Sequence, residues 1–397
     1  MQTDARALVL TCLLVTMPAT TAAVLGQAPP VAFDALRHQA EEARAAGRVD
    51  EAVALYKRAV ALQPSWTEGY WYLGTIYYDT DRHDECRDAF ARVTGQQPDN
   101  GAAWAFRGLC EFRLRQYATA LDSLNRARQA GVGDDAAFVA VVGYHRAILL
   151  ARFGQFERAL EVDVNLVRGG NTTPAMLDAL GIAWLRLSLL PDEVPPEKRD
   201  LVQLAGRAAA FRIGMMKDAA QQAFEQLVSR YPDIPNVHYM YGTYLAFDHP
   251  DEAIEQFQIE LTRSPGHVLA RVQIAQELIK RGNFGAARPY ATEAARLDPG
   301  NFMCRRVLGQ VKLQAGEVAG AIADLEAAAT LEPSSPSVRF HLARAYRRAG
   351  RTADAERERT EFLRLEKLQQ VQRGGANAVG GQGEEPQEEK PLDDKPH

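Results

Sequence analysis

His83, Asp84, Glu85 and Cys86 stand side by side and between them hold every side-chain type that zinc accepts. Their adjacency defeats that chemistry, because neighbouring residues of a helix point in different directions. The two acids suit the positive first turn of a helix instead. The remaining histidines are scattered singly, with no His-x-x-x-His spacing. His38 and Glu41 share one helical face without a third ligand near them, and His145 and His341 read as packing or groove residues. No Gly-x-Ser-x-Gly elbow, phosphate-cradling glycine loop or Cys-x-x-Cys pair occurs, so nucleophilic, phosphoryl and dithiol chemistry have no anchor. Carboxylates are abundant, but nothing isolates a pair of them. The chain reads as a non-catalytic protein with no metal and no cofactor, and function must come from a surface.

The elements that would build that surface are written in a period. Pro64 and Pro98 lie thirty-four residues apart, and Pro265, Pro299 and Pro333 repeat the same step. Gly282, Gly316 and Gly350 keep it, as do Ala287, Ala321 and Ala355. A fixed step of this length means helical hairpins stacked one on the next rather than a single globular core. Within Phe302 to Ser335, Gly309 and Ala321 let two antiparallel helices approach, and Leu308 and Leu325 supply the apolar stripe between them. Gly316 marks the turn, and Pro333 stops the second helix.

These positions resemble the tetratricopeptide repeat family. Leu73, Gly74, Tyr77, Phe90 and Pro98 fit its pattern, and Trp104, Gly108, Ala120, Leu124 and Ala127 fit it again. Ala275, Gly282, Ala287, Ala294 and Pro299 fit toward the C-terminus, and Leu342, Ala343, Tyr346, Gly350 and Ala355 close the series. The resemblance implies an all-α, right-handed superhelical solenoid of about nine or ten antiparallel helix-turn-helix repeats. Repeats are expected over residues 33–174 and 215–368. Between them, residues 175–214 read as an irregular or interrupted repeat. A helix carrying Leu180, Gly181 and Trp184 is expected to start near Pro174 and end at Leu190, before the stiff Pro191 to Pro196 segment, with no partner helix at the usual distance. Either one hairpin is degenerate there or an extra helix interrupts the stack.

In the resembling family, the first helices of successive repeats line a concave groove. Carrying those positions over gives Trp71 and Tyr78, then Phe112 and Arg113, then Tyr144 and Arg152, with Arg186 in the same register. The resemblance thus implies an arginine ladder, Arg113, Arg152 and Arg186, beside four aromatic rings. Guanidinium forks grip carboxylates or carbonyls, and aromatic faces give broad contact at low entropy cost. The expected partner is a protein or extended peptide held in that groove. Further along, Arg306 and Gln310 belong to a more polar stretch, and Arg344, Arg347 and Arg348 near Phe340 form a basic end.

Charge and termini bound the rest. Formal net charge is -5, and residues 384 to 395 alone hold six acidic and two basic side chains, which leaves the helical body near neutral. A nucleic-acid binder would show a basic face, so no nucleic-acid partner is expected. Residues 1–28 read as a bacterial export signal: Arg6, an apolar run from Ala7, then the small residues Gly26-Gln27-Ala28. This predicts a periplasmic or secreted protein. The alternative is inner-membrane anchoring through an uncleaved N-terminus, the only membrane contact expected, which would suit an accessory factor for envelope assembly or for polysaccharide or protein export. A site for hydrolase or transferase chemistry would have to be built at 175–214. With the signal and its Cys12 removed, Cys86, Cys110 and Cys304 are too few and odd in number for a disulfide framework. Buried free thiols are the plainer reading and a Cys86–Cys110 bridge the sharper one. Residues 369–397, poor in apolar side chains, are expected to be a disordered acidic tail.

Overall fold

The computed structural model describes residues 30–377, which form nineteen α-helices and no strand. The chain divides into two compact units that part between Leu227 and Val228. The first unit opens with four hairpins. They are α1 (Pro30–Ala45) with α2 (Val49–Leu62), α3 (Thr67–Asp79) with α4 (His83–Gln96), α5 (Gly101–Arg113) with α6 (Tyr117–Ala130), and α7 (Ala136–Arg152) with α8 (Phe156–Arg168). Then come α9 (Pro174–Trp184), α10 (Arg199–Ile213) and α11 (Lys217–Arg230), the last crossing the boundary between units. The second unit continues with α12 (Val237–Leu245), α13 (Pro250–Arg263), α14 (Val268–Lys280), α15 (Phe284–Leu297), α16 (Phe302–Gln314), α17 (Val318–Leu331), α18 (Pro336–Arg348) and α19 (Thr352–Asn377).

Several hairpins close where a first-helix glycine meets a large second-helix side chain. A Cβ on Gly74 would lie 2.7 Å from the Phe90 ring, one on Gly242 2.6 Å from Phe257, and one on Gly309 2.7 Å from Leu325. Small residues line the other side of the contact: Ala52, Ala120, Ala159, Ala220, Ala253, Ala287 and Ala321 are fully buried. Cys86 occupies the same slot in α4 and is buried too. It bonds to Cys110 of α5 across a Cα–Cα distance of 6.2 Å, so the bridge, not the pair of free thiols, is what the structure holds. Among the described residues Cys304 alone is free, and burial pushes its thiol up to about 12. The bridge ties a second helix to the next first helix and fixes the stacking of neighbouring hairpins as well as their closure.

The 175–214 segment holds an extra helix. Nineteen helices are an odd number for paired helices, and α9 packs against α10 across the 185–198 connector. A Cβ on Gly181 would lie 2.1 Å from the Val202 carbonyl oxygen, and one on Gly206 1.9 Å from that of Leu177. That crossed numbering makes α9 and α10 antiparallel, in contact backbone to backbone. No partner helix follows α9 at the usual distance; the partner lies further along the chain. α10 is the partner, displaced in sequence by a connector at 185–198 that contains two short 3-10 turns. α9 also stops at Trp184, short of the expected Leu190. Arg186 takes φ 56°, and the Leu187 amide bonds back to the Ile182 carbonyl at 3.0 Å. A left-handed residue after the last turn is a common helix stop, usually given to glycine. The turn after α10 repeats the geometry of the ordinary hairpins: Met215 is left-handed, and the Met216 amide bonds to Phe211 at 2.9 Å. At the other end, α19 runs to Asn377, so residues 369–377 are helical where a disordered tail was expected. The export signal and the rest of the acidic tail lie outside the described residues. Among the described residues no helix is long and apolar enough to cross a membrane.

Candidate peptide-binding surface

The four predicted aromatic rings form two linked groups. Trp71 of α3 meets Phe90 and Phe106 edge-on, at centroid distances of 5.4 and 5.8 Å. Tyr78, two turns along the same helix, meets Phe106 at 5.3 Å, and Phe138 of α7 closes on that ring at 5.0 Å. Phe112 and Tyr144 meet through a residue between them: His145 lies 4.8 Å from the first ring and 5.2 Å from the second. All four predicted aromatics are half-buried. Each therefore packs into the stack and keeps part of its ring in contact with solvent.

Arg113 joins the two groups. It is exposed at the last turn of α5 and acts electrostatically on Tyr78, His83 and His145. Among the described residues it has neither an ion pair nor a hydrogen bond. Burial holds His145 neutral, with its pKa down to about 4 and the Arg113 charge adding to the effect, while its Nδ1 lies 2.8 Å from the Val141 carbonyl. Burial likewise raises the Tyr78 hydroxyl, so this phenol stays protonated as a donor. His83, weighed in the sequence as a metal ligand, sits half-buried at the start of α4 with Nδ1 unpartnered among the described residues. Arg113 thus sets a guanidinium beside a phenol and two imidazoles, with Asp79 and Asp81 also acting on the phenol, and among the described residues no carboxylate grips the guanidinium.

The other two rungs of the expected ladder are engaged. Arg152 donates from Nη1 to the Ser188 carbonyl at 2.9 Å and lies 3.3 Å from the Glu193 carboxylate. Arg186 pairs with Glu157 at 2.8 Å and stacks over the Phe156 ring at 4.9 Å. Both pin the 185–198 connector to the preceding hairpin. Tyr144 stands among acids rather than beside a cation: burial, with Asp178, Asp192 and Asp163 around it, pushes its hydroxyl up to about 12.

Two features escaped the sequence reading. Phe106 and Phe138 complete the ring cluster, because the turn from α6 to α7 brings residues of successive first helices together. Asp163 is fully buried with neither carboxylate oxygen hydrogen-bonded among the described residues, and burial raises its pKa to about 8. Its signal was present. Four residues after each small slot comes an apolar core residue, Phe90, Leu124, Phe224, Phe257 or Leu325, and after Ala159 the same count lands on Asp163.

Comparison with known proteins agrees with the helical period. Models described as tetratricopeptide repeat match residues 43–110, residues 19–66, 243–302, 272–336 and 306–358, and residues 205–233, which span α10 and α11. Comparison with curated proteins returns no match. Among solved structures, MamA 41-end from Desulfovibrio magneticus RS-1 is 18% identical, covering 43% of this chain and 96% of its own, with a TM-score of 0.38. A crystal structure of MamA protein is 17% identical, covering 47% of this chain and 98% of its own, with a TM-score of 0.37. The repeat matches, in phase with the hairpins described above, place the chain in the tetratricopeptide repeat family.

Proposed function

We propose that the protein is a non-catalytic interaction scaffold that holds an extended acidic peptide against the first helices of α3, α5 and α7. Arg113 carries this reading: an exposed guanidinium with no carboxylate of its own, set between two half-buried aromatic groups. A peptide carboxylate would take the arginine fork, with the Tyr78 hydroxyl as a second donor. Trp71, Phe112 and Tyr144 would cover the apolar side chains on either side of it. Arg152 and Arg186 contribute to this site through the connector they hold.

The test is fluorescence anisotropy with a panel of labelled synthetic decapeptides, acidic, neutral and basic, each carrying one leucine. Acidic peptides should bind best, and Arg113→Glu should weaken them about tenfold, in line with the loss of one charge-assisted hydrogen bond. Equal binding of the three classes, or no loss in Arg113→Glu, removes this reading.

Residence outside the cytoplasm belongs to the same proposal. The Cys86–Cys110 bond supports it, because reducing compartments seldom keep a structural disulfide. Fractionation with thiol labelling of the unfolded protein checks it. A soluble exported pool with one labelled thiol is expected. Recovery only with membranes would favour a tethered role in envelope assembly or export.

A further inference from the structure

The second unit carries a different polar cluster. His341 of α18 is half-buried and hydrogen-bonded to Gln310 of α16. Burial drives its pKa down to about 3, with two cations, Arg306 of α16 and Arg344 of α18, adding to the effect, so the ring is neutral. Both arginines are half-buried, and neither has an ion pair or a hydrogen bond among the described residues. Burial alone shifts Arg306, downward, with no anion to offset it.

The surroundings show that this is exceptional. Arg305 and Lys312 share Asp324 at 2.9 and 2.6 Å, Arg339 holds Glu358 at 2.9 Å, and Lys280 holds Glu277 at 2.8 Å. Arg348 donates to the Leu313 carbonyl at 2.7 Å. These neighbouring cations are engaged, whereas among the described residues the two that flank His341 are not. Two desolvated guanidinium groups without counter-charge cost free energy that a bound anion would return. Phe340, an exposed ring over which Arg344 lies at 5.8 Å, offers the apolar edge of such a site.

We propose that Arg306 and Arg344, with Gln310 and the neutral His341 as neutral hydrogen-bonding groups, form a site for carboxylate side chains, and that its occupant is the chain's own acidic segment, residues 384–394. That segment holds Glu384, Glu385, Glu388, Glu389, Asp393 and Asp394, the densest run of uncompensated acid in the sequence. Reach permits it. α19 runs antiparallel to α18, with Phe362 on Phe340 at 5.6 Å. At ~1.5 Å per helical residue Asn377 lies about 22 Å past that contact, and Arg344 about 6 Å on its other side. An extended chain of ~3.3 Å per residue covers about 40 Å between residue 378 and Glu389, enough to come back. Tethering sets the local concentration near the millimolar range, so weak carboxylate contacts suffice. Docked there, the segment would occupy a first-helix surface and exclude other acidic ligands from it.

The experiment uses the full chain. In one variant, the six acids of 384–394 are changed to Gln or Asn; in a second, Arg306→Ala and Arg344→Ala are added. A fluorescein-labelled synthetic peptide of residues 384–397 is the probe, read by anisotropy at low salt. The neutralised chain should bind it at least about tenfold more tightly than the natural chain, whose own segment competes. Addition of Arg306→Ala and Arg344→Ala should cancel that gain, with helicity and melting temperature unchanged. Equal binding by the natural and neutralised chains overturns the proposal, and so does a gain that survives loss of both arginines. Sedimentation decides the remaining case: self-association that depends on both the acids and Arg306 would seat the segment of a second copy and overturn docking within one chain. Arg113→Glu leaves all these readings unchanged, which separates this site from the surface in the first unit.

Discussion

The first unit has its arginines close to aromatic rings and ties most of them down. The second has fewer rings and, among the described residues, leaves Arg306 and Arg344 without a counter-charge. The difference traces to α9. An extra helix needs a connector, and the 185–198 connector is held by Arg152 through Ser188 and Glu193 and by Arg186 through Glu157. The hairpins of the second unit have short turns, such as Arg281-Gly282-Asn283 and Ala315-Gly316-Glu317, that need no such pins. Cation count therefore says little about a repeat surface. What matters is whether local architecture has already recruited the charge, since a paired guanidinium gains little from a second carboxylate.

The strongest way to break this contrast is to remove the extra helix from its seat. Gly206→Val would put a side chain into the Leu177 backbone, which cannot yield as a flexible side chain would. We expect a loss upward of about 3 kcal/mol, because overpacking is relieved only by moving α9 away from α10. Hydrogen exchange should show faster exchange across α9, the connector and α8, with α14 to α18 unchanged. Uniform acceleration in both units would show that α9 is not an independent insertion.

Reduction is next in size and should act on the first unit alone. The Cys86–Cys110 bond closes a loop of sequence separation 24, worth about 3 kcal/mol through the unfolded chain. Calorimetry with and without dithiothreitol should lower the melting of the first unit only, since Cys304 has no partner to lose. Cys86→Ser with Cys110→Ser should reproduce the reduced profile and become indifferent to reductant.

Asp163 gives a third contrast, because the buried carboxylates of the second unit are satisfied and this one is not. Glu260 accepts from the Asn236 and Tyr239 amides at 2.8 and 3.3 Å, and Asp324 from Arg305 and Lys312. The native Asp163 pKa is raised to about 8, while the unfolded side chain titrates near 3.8. Between those values the native state holds a proton that the unfolded state has lost, so stability falls as pH rises from 4 to 8 and levels off above. Asp163→Leu should gain about 2 kcal/mol at pH 7, the cost of an unsatisfied buried polar group, and should flatten that slope. An unchanged slope would assign the pH dependence to other groups.

The hairpins were legible because their contacts recur at fixed spacing. Gly309, Leu325 and Ala321 mark the same contact as Gly74, Phe90 and Cys86, and any one unit explains the others. The pairing of α9 with α10 was not legible. It depends on two glycines, Gly181 and Gly206, that keep no period, and its connector matches no hairpin turn. The candidate surface was half legible for the same reason. Register puts Trp71 and Tyr78 on α3 and Phe112 and Arg113 on α5, whereas the fates of Arg152 and Arg186 are decided by Glu193 and Glu157. Those acids lie outside the repeat logic.

The gentlest test reverses the pairing itself. Glu193→Gln and Glu157→Gln would leave Arg152 and Arg186 in place but without their carboxylates. Arg152 keeps its bond to the Ser188 carbonyl and Arg186 its stacking on Phe156, so the connector should stay folded with a loss below about 1 kcal/mol. The freed cations should then raise affinity for an acidic decapeptide about threefold, and the gain should vanish above about 0.5 M salt, where exposed charges are screened. Arg113→Glu in that background should remove more than the double change gains, since Arg113 is already unpaired among the described residues. If affinity does not rise, Arg152 and Arg186 are turned away from the peptide and the surface extends no further than α7. If it rises while Arg113→Glu has no effect, the peptide lies along the connector, and the aromatic groups of α3 and α5 are packing only.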